Sequence, residues 1–486
     1  MPRGTNASTL GQRLHDDPEI DAAIASIVGR VSEASERIAG VRGPIAALAQ
    51  SYEAHLAVAG LTRGQGLVQP YLGSGIGHGA LVELMDGSVK WDMICGIGVH
   101  FFGHSDPDLL GVALRAGLDD TVKHGNLQSN FEAYALSRTL LDEAAKGSDL
   151  AHCFLTTGGA LANENALKIC FQKHAPACRV IAFEGCFMGR TTAMSQIGDT
   201  PAYRQGIPLS MQVDYMPFFD PVEAERVGQA AYIKAAVSRL ERCIGRYPGQ
   251  HACFVFELVQ GEGGFNTASR EFFEALMRCS KDNGVAVWVD EIQTFGRTES
   301  MFAYDQYQLG QYVDVVTVGK MTHACATLFT GAYNPRAGLL SGTFTGEGVS
   351  FAVGRRIIER LRDGGHYGPH GINARHHRLF VEQVRDLASR HPDWFGPILP
   401  VTGSPGVTGI VGGLGGMMRF TPFGGQKDAI ARACRACFDE GVILFSCGRG
   451  PYHLRMLPPL GVMREEDWPG VFECVERGLG RAAAAL

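Results

Sequence analysis

Short apolar runs rich in β-branched residues recur through the middle of the chain, at His152–Thr157, Val180–Phe183, Cys253–Glu257, Val285–Val289 and Val313–Val318. Longer stretches of helical periodicity separate them, for example Leu161–Phe171. Runs of this length without polar alternation are what strands buried on both faces look like, and the helices between them supply the crossovers that keep the strands parallel. The pattern predicts an α/β fold with a mostly parallel sheet. Upstream, Asp17-Pro18-Glu19 reads as a helix start, followed by Ile20, Ile24, Ile27 and Val28 at helical spacing. Two short strands, Leu81–Leu84 and Val89–Met93, flank the turn Asp86-Gly87. After Ser350 a helix over Phe351–Arg362 leads into a smaller α+β region. The expected division is a helical extension over 1–66, strands joining the small domain over 67–100, a large domain over 101–345 and a small C-terminal domain over 346–486.

Composition narrows the function classes. The chain has 486 residues, 45% hydrophobic and 19% charged, with a formal charge of −6. That apolar content excludes a disordered chain, and the absence of any Lys/Arg block argues against a nucleic-acid partner. No apolar run approaches the roughly 18 residues of a membrane span, and the first 17 residues lack the apolar core of a signal peptide, so a cytoplasmic protein is expected. The 13 cysteines are odd in number and scattered. The single C-x-x-C, Cys434 to Cys437, lies in a helical stretch over Asp428–Glu440, where a spacing of three puts both on one face. Reduced core thiols are expected there, with no metal site.

Ligands of open parallel sheets gather at the carboxyl ends of the strands. Asp290 and Glu291 follow Val285–Val289; Gly319 and Lys320 follow Val313–Val318. An acid and a lysine at neighbouring strand ends suit a pyridoxal phosphate enzyme, in which lysine condenses with the cofactor aldehyde and an aspartate keeps the pyridine nitrogen protonated. Read alone, the two positions fit a helix-capping Asp290 and a solvated loop Lys320 at least as well, although the chain has only nine lysines to compete for the role. Gly158-Gly159-Ala160, between a strand and a helix, offers backbone N–H groups to an anion at the positive helix end, or serves only as a tight turn. No P-loop and no dinucleotide fingerprint occurs.

At this point the residues resemble the class III (omega-type) aminotransferases. Gly158-Gly159-Ala160-Leu161-Ala162-Asn163-Glu164-Asn165-Ala166-Leu167-Lys168 is similar to the family's cofactor-phosphate segment. Phe187-Met188-Gly189-Arg190-Thr191, Glu257 to Gly264, Asp290-Glu291-Ile292-Gln293-Thr294 with Phe295 to Thr298, Gly319-Lys320, Gly342-Thr343-Phe344 and Arg455 to Leu460 follow in the family's order. The resemblance starts near residue 70 and leaves the first ~65 residues uncovered. It implies fold type I: a large domain with a mostly parallel seven-stranded sheet flanked by helices, plus a smaller α+β C-terminal domain. It also implies pyridoxal 5'-phosphate as cofactor. By the same resemblance Lys320 is the Schiff-base lysine, Asp290 pairs with the pyridinium nitrogen, Gln293 bonds the ring oxygen, Phe187 stacks on the ring, and Gly159 and Ala160 hold the phosphate. Thr343 reaches the phosphate of the partner subunit, so a homodimer is implied. Arg455 takes the α-carboxylate of glutamate or 2-oxoglutarate, Glu262 gates it, and Arg190 takes the distal carboxylate of an ω-amino donor.

The chain departs from most members at Leu161, Met188 and Leu258, which replace a glutamate, a histidine and a proline, and in one fewer residue before Phe295. Leu161 and the run Gly319-Lys320-x-Thr-x-x-Cys325 resemble the lysine 6-aminotransferase branch, which implies transfer of the ε-amino group of L-lysine to 2-oxoglutarate. Acetylornithine, ornithine or 4-aminobutyrate transamination, or amino-acid racemisation on the same cofactor, are the alternatives. A cofactor-binding fold without catalysis predicts loss of Lys320 or Asp290, and both are present.

Overall fold

The structure, a computed structural model, describes residues 8–67, 69–120, 123–125, 129, 131–398 and 404–485. Its centre is a seven-stranded sheet of β1 (Leu150–Thr156), β2 (Arg179–Phe183), β3 (Gln212–Met216), β4 (His251–Phe256), β5 (Ala286–Glu291), β6 (Val315–Val318) and β7 (Cys325–Thr330). The spatial order is β1-β7-β6-β5-β4-β2-β3. All neighbours are parallel except β7, which runs antiparallel to both β6 and β1. The five strand runs read from sequence all form, and β3 and β7 complete the sheet.

Side chains alternate along each strand into two apolar layers. Ala286 and Trp288 of β5 and Val315 of β6 pack with Ala166, Leu167 and Cys170 of α1 (Gly159–Lys173). Val287, Val289, Val316 and Val318 point to the other face, against Phe272, Phe273 and Leu276 of α2 (Arg270–Asp282). This two-sided burial explains why polar alternation is missing from the sequence of these strands. Each buried valine or leucine contributes about 1.5–3 kcal/mol.

At the N-terminal side, Asp17 caps the helix Pro18–Ser35 by accepting from the Glu19 N–H at 2.9 Å, with Pro18 at the first helical position. The first seven residues of the helical extension lie outside the described residues. Leu81–Leu84 and Val89–Asp92 form the expected antiparallel pair, joined by Gly73–His78 on one side and by Val442–Ile443, parallel, on the other. A second four-stranded sheet near the C-terminus orders Val411–Leu414, Met417–Phe420, His453–Met456 and Phe445–Cys447. The helix Lys427–Glu440 carries Cys434 and Cys437, and Cys437 packs on Gly478. All 13 cysteines are free. Among the described residues no helix is long and apolar enough to cross a membrane.

Candidate active site

Five strands of the large sheet deliver residues to one place. Gly158 to Ala160 follow β1, Phe187 follows β2, Glu257 follows β4, Asp290 is the penultimate residue of β5, and Lys320 lies two residues past β6. Apart from Gly158, they line a cavity of about 330 Å³ together with Asn163, Met188, Gln293 and Cys325. Lys320 sits at φ 51°, in the left-handed region that a residue with a Cβ seldom adopts. Such strain concentrates at functional sites, and here it accompanies the turn of the lysine off the strand end.

The acid of the cavity is firmly held. Asp290 is 5% exposed. Its Oδ2 accepts from Asn163 Nδ2 at 2.8 Å and its Oδ1 from the Ile292 N–H at 2.9 Å. Burial pushes its pKa up to about 6, against the pull of those hydrogen bonds and of the Lys320 charge. Burial holds the Lys320 amine below the usual lysine range, while Asp290 and Glu262 favour its charged form and Arg455 opposes it. A buried carboxylate and a buried amine thus line the same cavity.

The walls are fixed by close backbone contacts. Gly189 has φ 125°, and a Cβ there would lie 2.5 Å from that of Ala160; only glycine permits the approach. A Cβ on Gly261 would fall 2.7 Å from Gln293 Oε1, so this glycine lets the chain bearing Glu262 rest on the Gln293 amide. The N-terminus of α1 has no side-chain cap. The first N–H groups of a helix have no intrahelical partner, so those of Gly159 and Ala160 are available to an anion.

Two residues not singled out from sequence join the site. Glu257 accepts from the Phe187 N–H at 3.0 Å and from the Gly261 N–H at 2.7 Å, tying two loops together. Its burial, with Asp290 adding, raises its pKa to about 8. Asn163 bridges Asp290 and the Met188 carbonyl, 2.8 Å from each. A strand-end position was the available signal for Glu257; nothing local marks Asn163, one turn inside a helix.

The three charged residues expected to contact substrate do not line this cavity, but Glu262 and Arg455 act on the Lys320 charge and Arg190 lies 5.9 Å from the Phe187 ring centre. Arg455 is 3% exposed and Nη1 lies 2.8 Å from Glu262 Oε1, while Nη2 donates to Oε2 at 3.1 Å. Burial works against the Arg455 charge, yet Glu262 more than offsets it and the guanidinium stays above its usual range. Arg190 is exposed and its guanidinium lies over the Tyr203 ring. Thr343 is exposed and does not line the cavity of its own chain. Leu161 is also exposed, at the start of α1.

A family model described as Aminotransferase class-III matches residues 74–476, and the chain belongs to that family. A 4-aminobutyrate aminotransferase of Mycobacterium tuberculosis is 27% identical over 430 residues, covering 84% of this chain and 91% of the relative. A 2-aminoadipate transaminase of Pseudomonas putida is 29% identical over 410 residues, covering 80% and 92%. Among solved structures, a lysine aminotransferase from M. tuberculosis has a TM-score of 0.73 at 22% identity, covering 87% of this chain and 98% of that one. An ornithine aminotransferase from Toxoplasma gondii has a TM-score of 0.72 at 19% identity, covering 90% and 96%. The fold is therefore fold type I, and the chain is a pyridoxal phosphate-dependent aminotransferase acting on an amino donor and a keto acid acceptor. The residues present fit that cofactor: an uncapped helix end for its phosphate, a buried carboxylate, an amine, and buried Gln293 Oε1 and Asn163 Oδ1 atoms without partners.

Proposed function

We propose that this aminotransferase moves a terminal amino group from a donor bearing a distant carboxylate to 2-oxoglutarate. The observation that carries the reading is the paired state of Arg455 beside an exposed Arg190. With Glu262 neutralising Arg455, an incoming donor meets Arg190 as its carboxylate partner, and its amine is directed to the Lys320 end of the cavity. When Glu262 withdraws, the planar Arg455 fork is freed to grip the α-carboxylate of the 2-oxo acid bidentately. L-lysine, through its ε-amino group, is the donor we assign, on the strength of Leu161 and the Gly319 to Cys325 run; 4-aminobutyrate and ornithine-type donors present the same two ends. The names of the relatives support this substrate class.

When bound, pyridoxal phosphate supplies an aldehyde that condenses with amines and a ring that accepts electrons from the substrate carbon. Lys320 would provide the amine for that aldehyde, and its Nζ, which burial lets go neutral at lower pH than an ordinary lysine, would be the group that takes up and returns the substrate proton. Asp290 in its ionised form holds a proton on the ring nitrogen. Asn163 aims that carboxylate, Gln293 bonds the ring oxygen, Phe187 covers a ring face, and the N–H groups of Gly159 and Ala160 take the phosphate. Thr343, exposed and not lining the cavity of its own chain, serves the phosphate of a partner subunit in a homodimer. The division into 1–66, 67–100, 101–345 and 346–486 is part of this proposal.

The test is a donor panel of diamines and ω-amino acids incubated with holoenzyme and 2-oxoglutarate. Glutamate should appear in amounts equal to the donor consumed, with L-lysine among the best donors. Conversion of an amino acid to its enantiomer without glutamate would overturn the reading.

A further inference from the structure

Tyr203 ends the short turn Pro201–Tyr203, between the helix Thr192–Ile197 that follows Arg190 and strand β3. The Arg190 guanidinium carbon lies 3.7 Å from the centre of the Tyr203 ring. The same ring meets Phe187 edge-on, with centroids 5.6 Å apart and planes at 87°. Arg190 is also 5.9 Å from the Phe187 ring centre, so the two aromatics form a corner in which the cation sits. Tyr203 further shares the field of the gating pair: burial and Glu262 raise its hydroxyl, and Arg190 and Arg455 oppose them.

A guanidinium over a ring uses its face and leaves its N–H edge free for the two oxygens of a carboxylate. An exposed arginine otherwise carries rotamer freedom that binding must remove. A ring that holds the fork beforehand takes that cost out of association.

We propose that Tyr203 is a positioning residue for donor selection: its ring holds Arg190 so that the guanidinium edge receives the carboxylate of a donor at the end opposite the transferred amine. The inference rests on the reading of Arg190 as that carboxylate site. The ring alone is needed; the hydroxyl is not.

The experiment compares Tyr203→Leu, Tyr203→Phe, Arg190→Ala and the Tyr203→Leu/Arg190→Ala double variant as holoenzymes. The donors are L-lysine, 4-aminobutyrate and 1,5-diaminopentane, which has no carboxylate. Tyr203→Leu should raise KM for the two amino acids on the order of tenfold and leave the diamine unchanged. Tyr203→Phe should retain the donor KM, and the double variant should match Arg190→Ala alone. Peptide-mapped modification of Arg190 by phenylglyoxal should run faster in Tyr203→Leu and at the parent rate in Tyr203→Phe. An equal rise in KM for the diamine, or effects that add in the double variant, would overturn the proposal while leaving Arg190 in its role. No change in amino-acid KM on Arg190→Ala would overturn both.

Discussion

Glu262 and Arg455 come from loops and strands of different sheets, 193 positions apart, and meet as a close ion pair with Oε1 2.8 Å from Nη1 and Oε2 3.1 Å from Nη2. Arg455 is almost wholly buried, its Nε has no partner, and among the described residues Glu262 is the one carboxylate paired with it. Glu262→Ala should therefore open Arg455 permanently. The KM for glutamate and 2-oxoglutarate falls or holds, whereas the kcat/KM for terminal-amine donors drops at least tenfold, because an α-carboxylate now competes for the site. Arg455→Ala should weaken 2-oxoglutarate by about 2–5 kcal/mol, the usual loss on truncating one side of a buried charge contact, with a smaller effect on the terminal-amine donor. Half-reaction kinetics for each substrate check both; equal losses in the two halves contradict the gate.

Asn163 favours the ionised form of Asp290 by donating to Oδ2. Removing it in Asn163→Ala leaves the carboxylate with one fewer donor and raises its pKa above about 6. Since the ionised carboxylate is the form that holds a cationic ring nitrogen, cofactor affinity should weaken as pH falls through this value, and the acid limb should move to higher pH in the variant. Affinity at neutral pH should drop by about 1–3 kcal/mol. Equilibrium titration of the apoprotein with pyridoxal phosphate between pH 5 and pH 8, as a chosen range of about three units, measures both.

Glu257 leaves a mark on stability. Its pKa rises from 4.5 to about 8 on folding. Between those values the folded protein keeps a proton that the unfolded chain has lost, so stability from this group is full below about 4.5 and is lost as pH rises toward 8. Asp290 and Glu291, raised to about 6 and about 7, act in the same direction over narrower windows. Within its window Glu257 contributes a slope of about 1.4 kcal/mol per pH unit. Denaturation of the apoprotein across this range should show falling stability, and Glu257→Gln should flatten the slope even though it lowers stability overall by weakening the two loop contacts. An unchanged slope would exclude the buried proton.

Much of this was legible in the sequence because both the sheet and its ligands follow local rules. Unbroken apolar runs at β1, β2, β4, β5 and β6 marked fully buried strands, and the residues at their carboxyl ends marked the site. Strand β3 has no apolar run to mark it, because it alternates polar residues at a sheet edge, where Asp214 pairs with Arg179 at 2.7 Å. Strand β7 follows Lys320 so closely that its start reads only as the end of the Gly319 to Cys325 run, and its antiparallel course has no local signature. The contribution of Asn163 depends on a contact with a residue 127 positions away. Tyr203 likewise acts through the packing of a loop, which spacing along the chain does not encode.

The central claim is that the amine of Lys320 is the group that takes the cofactor aldehyde, with Asp290 behind the ring. Borohydride reduction of the holoenzyme followed by peptide mapping tests it most directly. A pyridoxyl group fixed on the peptide containing Lys320, and absent from Lys320→Ala, is the predicted result; the same group found on another lysine, or persisting in the variant, would contradict the account.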